Sequence, residues 1–230
     1  MSDPAPPPPW HTRSKRATAK PPLTQTAIVD AALRVLDRDG VESLSMRSVA
    51  DELATGAASI YRHISSRDEL LELVLDRVLA GVRTQPPDPD RWREQVAELA
   101  TQIHRTLSAH RDIARIAMSS RPVGSNSVRI NEAFLAILRT AGFGPRLCVL
   151  AVSRLSLYVT ADVFERALFT RRDPQFWREV AAYYRSLPAD LFPHTSSMVD
   201  SLAAGAGDHF RGGLDLLLDG LASQRDREDG

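Results

Sequence analysis

Residues 45–64, SMRSVADELATGAASIYRHI, decide how this chain is read. Val49, Leu53 and Ile60 supply the shared apolar seam of two short helices, at about 45–52 and 57–63, and Ile64 closes its end. Ala50 is small where the helices cross, and Gly56 is an acceptable N-cap for the second. Two such helices around a tight turn form a helix-turn-helix, whose second helix enters a DNA major groove. Ala57, Ala58 and Ser59 open that helix with short side chains that allow close approach to base edges and thymine methyl groups. Tyr61 offers a hydroxyl and His63 a ring nitrogen to a phosphate or base edge. Arg62 and Arg67 are natural phosphate clamps, and Arg47, near the start of the supporting helix, is placed for a phosphate or a guanine. Taken singly, Tyr61 has a plainer role as a packed aromatic and the arginines as solvated charges. Their ordered set at this spacing is what points to DNA.

Upstream, Thr24 is an N-cap, Ile28, Ala31, Ala32, Val35 and Leu36 recur at helical spacing, and Gly40 stops the helix. Residues 1–22 are Pro-rich and then basic, with Arg13, Lys15, Arg16 and Lys20 against Asp3 alone. Such a segment buries too little apolar surface to fold. It reads either as an arm placing its cations in a minor groove or on phosphates, or as a solvated tail. Downstream, Ser66 to Glu69 reads as a capping box, opening an apolar helix that runs to about Arg83. Pro86, Pro87 and Pro89 then break the chain. The expected organisation is a basic arm over 1–22, a three-helix DNA-binding domain over 23–83 and a helical body over 84–230. In the body, helices are expected at about 90–110, 111–119, 127–141, 145–170, 174–187 and 207–224. No segment alternates as a strand does, so the class is all-α.

Composition narrows the alternatives. The apolar fraction, 43%, supplies a globular core, and the zero formal net charge gives no whole-molecule case for nucleic acid. The single cysteine, Cys148, sits in the apolar run LCVLAV, which assigns it to packing and fits a reducing cytoplasm. There is no signal-peptide pattern and no uninterrupted apolar run of ~18 residues, so a soluble intracellular protein without a membrane partner is expected. The segments 147–168 and 210–221 are apolar all round, as helices are when central or shared with a partner chain. A homodimer built on both explains them and matches paired operator half-sites; two central helices of a monomer is the plainer reading.

A body of this kind encloses a small-molecule cavity between its helices. Candidates for its polar lining are Arg115, Arg121, Asn131, Ser153, Arg154, Tyr158, Thr160 and Asp162, with Met118, Phe134 and Phe164 as apolar walls. Arginines facing inward would favour an anionic ligand. Catalysis finds little support: there is no nucleophile elbow, phosphate loop or metal-ligand spacing, and His104 and His110 lie off the i, i+4 geometry. No metal or cofactor is expected. A helical protein-interaction module with a helix-turn-helix-like turn is the other rival.

The run TAIVDAALRVLDRDGVESLSMRSVADELATGAASIYRHISSRDELLELVLDRV resembles the N-terminal domain of the TetR family of transcriptional repressors. The resemblance rests on Asp39-Gly40, Ser43 to Arg47, Val49-Ala50, Ile60-Tyr61 with His63, and Arg67 to Leu71. It implies a cytoplasmic homodimer that binds a palindromic double-stranded operator and releases it when a small-molecule effector occupies the C-terminal domain. Repression is the family default, with an activator of the same fold as the alternative. The body is similar to the tetracycline-repressor branch in His110-Arg111-Asp112, Arg121-Pro122 and Ala141-Gly142-Phe143. Two histidines that this branch uses, one on the drug-bound magnesium and one on the drug, fall at Ala117 and near Arg83. Only the acidic position, Glu165, is retained, so a magnesium–tetracycline chelate is not the expected ligand. The family also favours glycine where Ala54 stands, in a turn of positive φ, and Gly56, two residues on, is the candidate to take up some of that turn instead.

Overall fold

In the computed structural model, residues 22–120, 123–170, 173–203 and 209–228 are described. The arm cations Arg13, Lys15, Arg16 and Lys20, and the ligand candidate Arg121, lie outside them. Helix α1 spans Gln25–Asp39: the Thr24 hydroxyl accepts from the Ala27 N–H at 3.2 Å, and Gly40 ends the helix at φ 86°. Its inward face is Ile28, Val29, Ala31, Ala32, Val35 and Leu36, all buried. Helix α2 (Met46–Glu52) starts at a reciprocal cap, Ser45 accepting from the Ser48 N–H and Ser48 Oγ accepting from the Ser45 N–H. Arg34 and Arg38 of α1 each reach Glu52 at 2.9 Å, which pins the supporting helix to α1. These bonds, from Arg38 first and then Arg34, hold the Glu52 carboxyl below its ordinary pKa.

The turn that follows has positive φ at Ala54 (48°). Gly56 sits at φ −85° as the N-cap of α3 (Ala57–Tyr61), so it does not relieve the turn. The strained residue is Ala54, where an L side chain costs about 1 kcal/mol against glycine. Ala54→Gly is therefore expected to raise the melting temperature by about 2–4 °C in calorimetry. An unchanged or lower value would show that the αL turn carries no strain.

Helix α4 (Arg67–Leu79) is capped by Ser66, but the box closes one residue earlier than expected. The Glu69 carboxylate accepts from the hydroxyl and the N–H of Ser65, which lower its pKa in that order. The helix also stops short of Arg83. Gly81 and Val82 donate to Val78 and Leu79 in tight i→i−3 turns.

After a 3-10 turn at Pro89–Arg91 come α5 (Trp92–Ser108), α6 (Ile113–Ser119), α7 (Ser125–Thr140) and α8 (Pro145–Thr170). Then follow α9 (Pro174–Ser186), α10 (Pro193–Ser197), α11 (Val199–Ala203) and α12 (His209–Glu228). No strand occurs among the described residues. Helices α10 and α11 fall where none was expected; Pro193 opens the first of them, its fixed φ suiting a first turn. Helix α8 is long and apolar enough, at mean hydropathy 1.6, to cross a membrane by composition alone. Its packing explains part of that apolarity, for it lies against α5, α6, α7 and α12, with Cys148, Leu155, Val159 and Val163 buried, while Val149, Leu150 and Leu157 stay exposed.

Helices α4 and α7 are welded by one side chain. The Asp76 carboxylate accepts from the N–H groups of Asn126 (2.8 Å) and Ser127 (3.1 Å), from the Asn126 amide and from the Ser125 hydroxyl. It thereby caps α7 in place of the silent Gly124, whose added Cβ would lie 2.2 Å from that carboxylate.

Candidate nucleic-acid interface and ligand cavity

Helix α3 buries Ile60 and turns Tyr61, Arg62 and His63 outward, Tyr61 being 55% exposed. Arg62 makes one long bond within the helix, to Ser59 Oγ at 3.3 Å, leaving most of its donors for a partner. Ala58 and Arg47 are exposed as well, and Ser59 is half-buried. These residues, on α2 and α3, form the face expected for DNA. Ala57 is corrected: it packs against the core, so its methyl serves the seam.

Arg67 is also corrected. Its Nε donates to the Leu44 carbonyl and its Nη2 to the Val41 carbonyl, both at 2.8 Å. The guanidinium braces the start of α4 against the loop that feeds α2, rather than waiting for a phosphate. Arg67→Ala is expected to lower stability by about 2 kcal/mol in urea titration, the worth of charge-assisted bonds. The salt dependence of DNA binding should stay unchanged, whereas a phosphate clamp would take about two units off the slope per dimer.

Between α4, α5, α6, α7 and α8 lies a cavity of about 230 Å³. Of the ligand candidates, Met118, Asn131, Phe134 and Thr160 line it. Residues not anticipated include Leu75 and Leu79 of α4, Ile103 and Leu107 of α5, and Ser120, Ser127 and Ser156. Besides Ser120, the polar groups fall in two i, i+4 pairs, Ser127 with Asn131 on α7 and Ser156 with Thr160 on α8, a spacing that sequence alone displays. Ala117 presents a methyl to the cavity, and among the described lining residues there is no imidazole or carboxylate. Such a lining of hydroxyls and one amide does not fit a magnesium chelate.

The other ligand candidates lie elsewhere. Tyr158 stacks on Phe210 and donates its hydroxyl to the Phe210 carbonyl at 2.9 Å, tying α8 to α12. Arg154 lines a groove between α8 and α12, and Ser153 is exposed. Asp162 is sequestered between His104 (2.7 Å) and Arg166 (2.9 Å). Glu165 is exposed and lines neither the cavity nor the neighbouring cleft. Arg115 and Phe164 line that cleft, on the other side of α6. Amphipathic periodicity could not separate these positions, because α8 has neighbours on several sides.

Helix α6 runs from the cavity to the DNA-binding head. Met118 lines the cavity, while Asp112, the N-cap of α6 at φ 55°, accepts from the Val41 N–H at 3.1 Å. Beside it Arg111 donates its N–H to Asp37 (3.1 Å) and its Nη1 to the Arg38 carbonyl (2.7 Å). His110 contacts Asp37 at 3.0 Å, and Arg115 pairs with Glu42 at 2.6 Å. One short segment of the body is thus latched to the end of α1 and the loop before α2.

Both halves of the chain match family models: residues 28–74 that of bacterial regulatory proteins of the tetR family, and residues 85–225 the tetracyclin repressor-like C-terminal domain. An HTH-type transcriptional regulator of Saccharopolyspora erythraea is 35% identical, over 93% of this chain and 91% of its own. The HTH-type transcriptional repressor DrrR1 of Streptomyces coeruleorubidus is 30% identical, over 92% of this chain and 82% of its own. Apo ActR of Streptomyces coelicolor superposes with a TM-score of 0.86 at 39% identity, covering 91% of this chain and all of that one. ActR has also been solved with actinorhodin and with (S)-DNPA. The chain belongs to the TetR family of bacterial transcriptional regulators and is a ligand-responsive DNA-binding repressor.

Proposed function

We propose that the protein acts in the cytoplasm as a homodimer that holds a palindromic operator and lets go when a polycyclic, oxygen-bearing compound fills the cavity between α4 and α8. The observation that carries this is the double attachment of the cavity to the head. Leu75 and Leu79 of α4 line it, and eight residues earlier, about 12 Å along the helix, Arg67 braces the loop that feeds α2. Met118 lines it on α6, whose N-cap Asp112 is latched to Val41. A ligand that shifts α4 or α6 therefore changes how the head sits on the body, and two heads mis-spaced by a few ångströms lose one half-site.

The partner for dimerisation is a second copy seated on α8 and α12. Val149, Leu150 and Leu157 of α8 and Leu216 of α12 are exposed, Leu216 by 74%, and Leu150 and Leu216 line one groove with Gly220 and Leu221. An apolar face of this size on two adjacent helices fits a helix-bundle interface. ActR, solved with actinorhodin, supports the effector class. The lining agrees, being mostly aliphatic with hydroxyls and an amide for oxygen functions.

The test is selection of DNA from a random duplex pool by the purified full-length protein, repeated with actinorhodin present. A recovered inverted repeat, bound by two copies and released by actinorhodin, is expected. Recovery of no common sequence would overturn the operator reading. A recovered repeat that actinorhodin fails to release would overturn the effector class alone.

A further inference from the structure

Helix α6 is a partition with a different chamber on each side. One face, with Ala117 and Met118, lines the cavity described above; the other, with Ala114 and Arg115, lines an open cleft of about 1040 Å³. The same division runs along its neighbours. On α5, Ile103 and Leu107 face the cavity while His104 and Ser108 face the cleft. On α8, Leu155, Ser156, Leu157, Val159 and Thr160 line the cavity, and Val163, Phe164, Arg166, Ala167, Leu168 and Thr170 line the cleft.

The two chambers differ in chemistry. The described cavity lining is neutral, whereas four arginines, 105, 111, 115 and 166, and two histidines line the cleft against one carboxylate, Asp112. Those cations differ in how firmly they are held. Arg166 is bound to Asp162, itself only 10% exposed, and Arg111 is spent on the Arg38 carbonyl. Among the described residues Arg115 pairs with Glu42 alone, whose side chain is 76% exposed, and an exposed pair of this kind is worth little. Arg105 is exposed and has no ion-pair partner among the described residues. In the same cleft, Val163, Phe164, Ala167 and Leu168 supply apolar lining.

We propose that this cleft is a second ligand site, separate from the effector cavity, which takes a carboxylate attached to an aromatic or aliphatic body. The carboxylate is received by Arg105 and Arg115, whose guanidinium forks match its two oxygens, and the apolar body lies on Phe164 and Leu168. Its occupancy draws Arg115 away from Glu42, one of the contacts that hold the body to the DNA-binding head. The two sites therefore act on the same helix from opposite faces.

The experiment is isothermal titration of the full-length protein with naphthalene-2-carboxylate and with uncharged naphthalene-2-carboxamide. Three forms are compared: wild type, the pair Arg105→Ala/Arg115→Ala, and Asn131→Phe, which fills the cavity. Both arginines are exposed, and melting temperatures check that all three forms are folded. Wild type is expected to prefer the carboxylate by about tenfold, the double variant to lose that preference, and Asn131→Phe to keep it. Loss of carboxylate binding in Asn131→Phe with retention in the double variant would overturn the assignment. So would the absence of saturable carboxylate binding to wild type below about 1 mM. Neither result touches operator binding or its release through the cavity, which are read separately.

Discussion

Arg62→Ala is expected to weaken operator binding on the order of 30- to 1000-fold, about 2–4 kcal/mol, because a dimer loses the contact twice. The expectation follows from what holds this side chain at present. Arg62 lies at the C-cap of α3, is exposed, and among the described residues makes only the 3.3 Å bond to Ser59. Its removal leaves the fold intact, since Ile60 and Ile64 carry the local packing. A salt titration separates its two modes of action. If Arg62 meets phosphates, the slope of log K against log salt falls by about two units per dimer and all sequences weaken alike. If it meets a guanine, the slope changes less and discrimination relaxes at one base pair of each half-site. Wild-type affinity in the variant would remove Arg62 from the interface.

Gly40→Ala is expected to destabilise the protein by about 3 kcal/mol and to lower its melting temperature by about 6–12 °C. Two terms add. Gly40 has φ 86° and ψ 172°, a region almost closed to residues with a Cβ. A Cβ there would also lie 2.7 Å from Asp112 Oδ2 and 3.1 Å from Arg111 Nε, inside the latch between body and head. The double-mutant cycle with Asp112→Ala divides the two. Removing the Asp112 carboxylate should recover the steric part and leave the backbone part. A Gly40→Ala protein that melts like wild type would contradict both the strain and the tightness of the latch.

The parts of this molecule legible in sequence are those set within a few residues. Thr24, Ser45 and Ser66 act as caps because a short hydroxyl meets an amide three positions on, and Pro145–Thr170 is long enough for its apolar content to declare a helix. The exposure of Tyr61, Arg62 and His63 follows from the phase set by Ile60. What sequence could not display are pairings across long separations. Arg67 reads as a phosphate clamp until the carbonyls of Val41 and Leu44 are seen to occupy it, 26 and 23 residues away. Asp162 and Tyr158 read as cavity residues for the same reason. Their partners, His104 and the start of α12, come from parts of the chain 58 and about 50 residues distant. The cavity itself is half legible, since helical phase names Asn131 and Thr160, but which face of α8 meets α7 is decided only by packing.

The cap that Asp76 gives to α7 bears on how such repressors can be recombined. The prolines at 86, 87 and 89 look like the natural seam at which to graft a foreign sensor onto this DNA-reading head. A graft made there would carry a new α7 but keep the old α4, and the first amides of the incoming helix would meet whatever side chain stands at 76. The donor must therefore bring its own α4 or supply a glycine and two amides that donate to this aspartate. The functional joint of the protein lies within a helix, one turn before its end, and a working chimera has to be cut there.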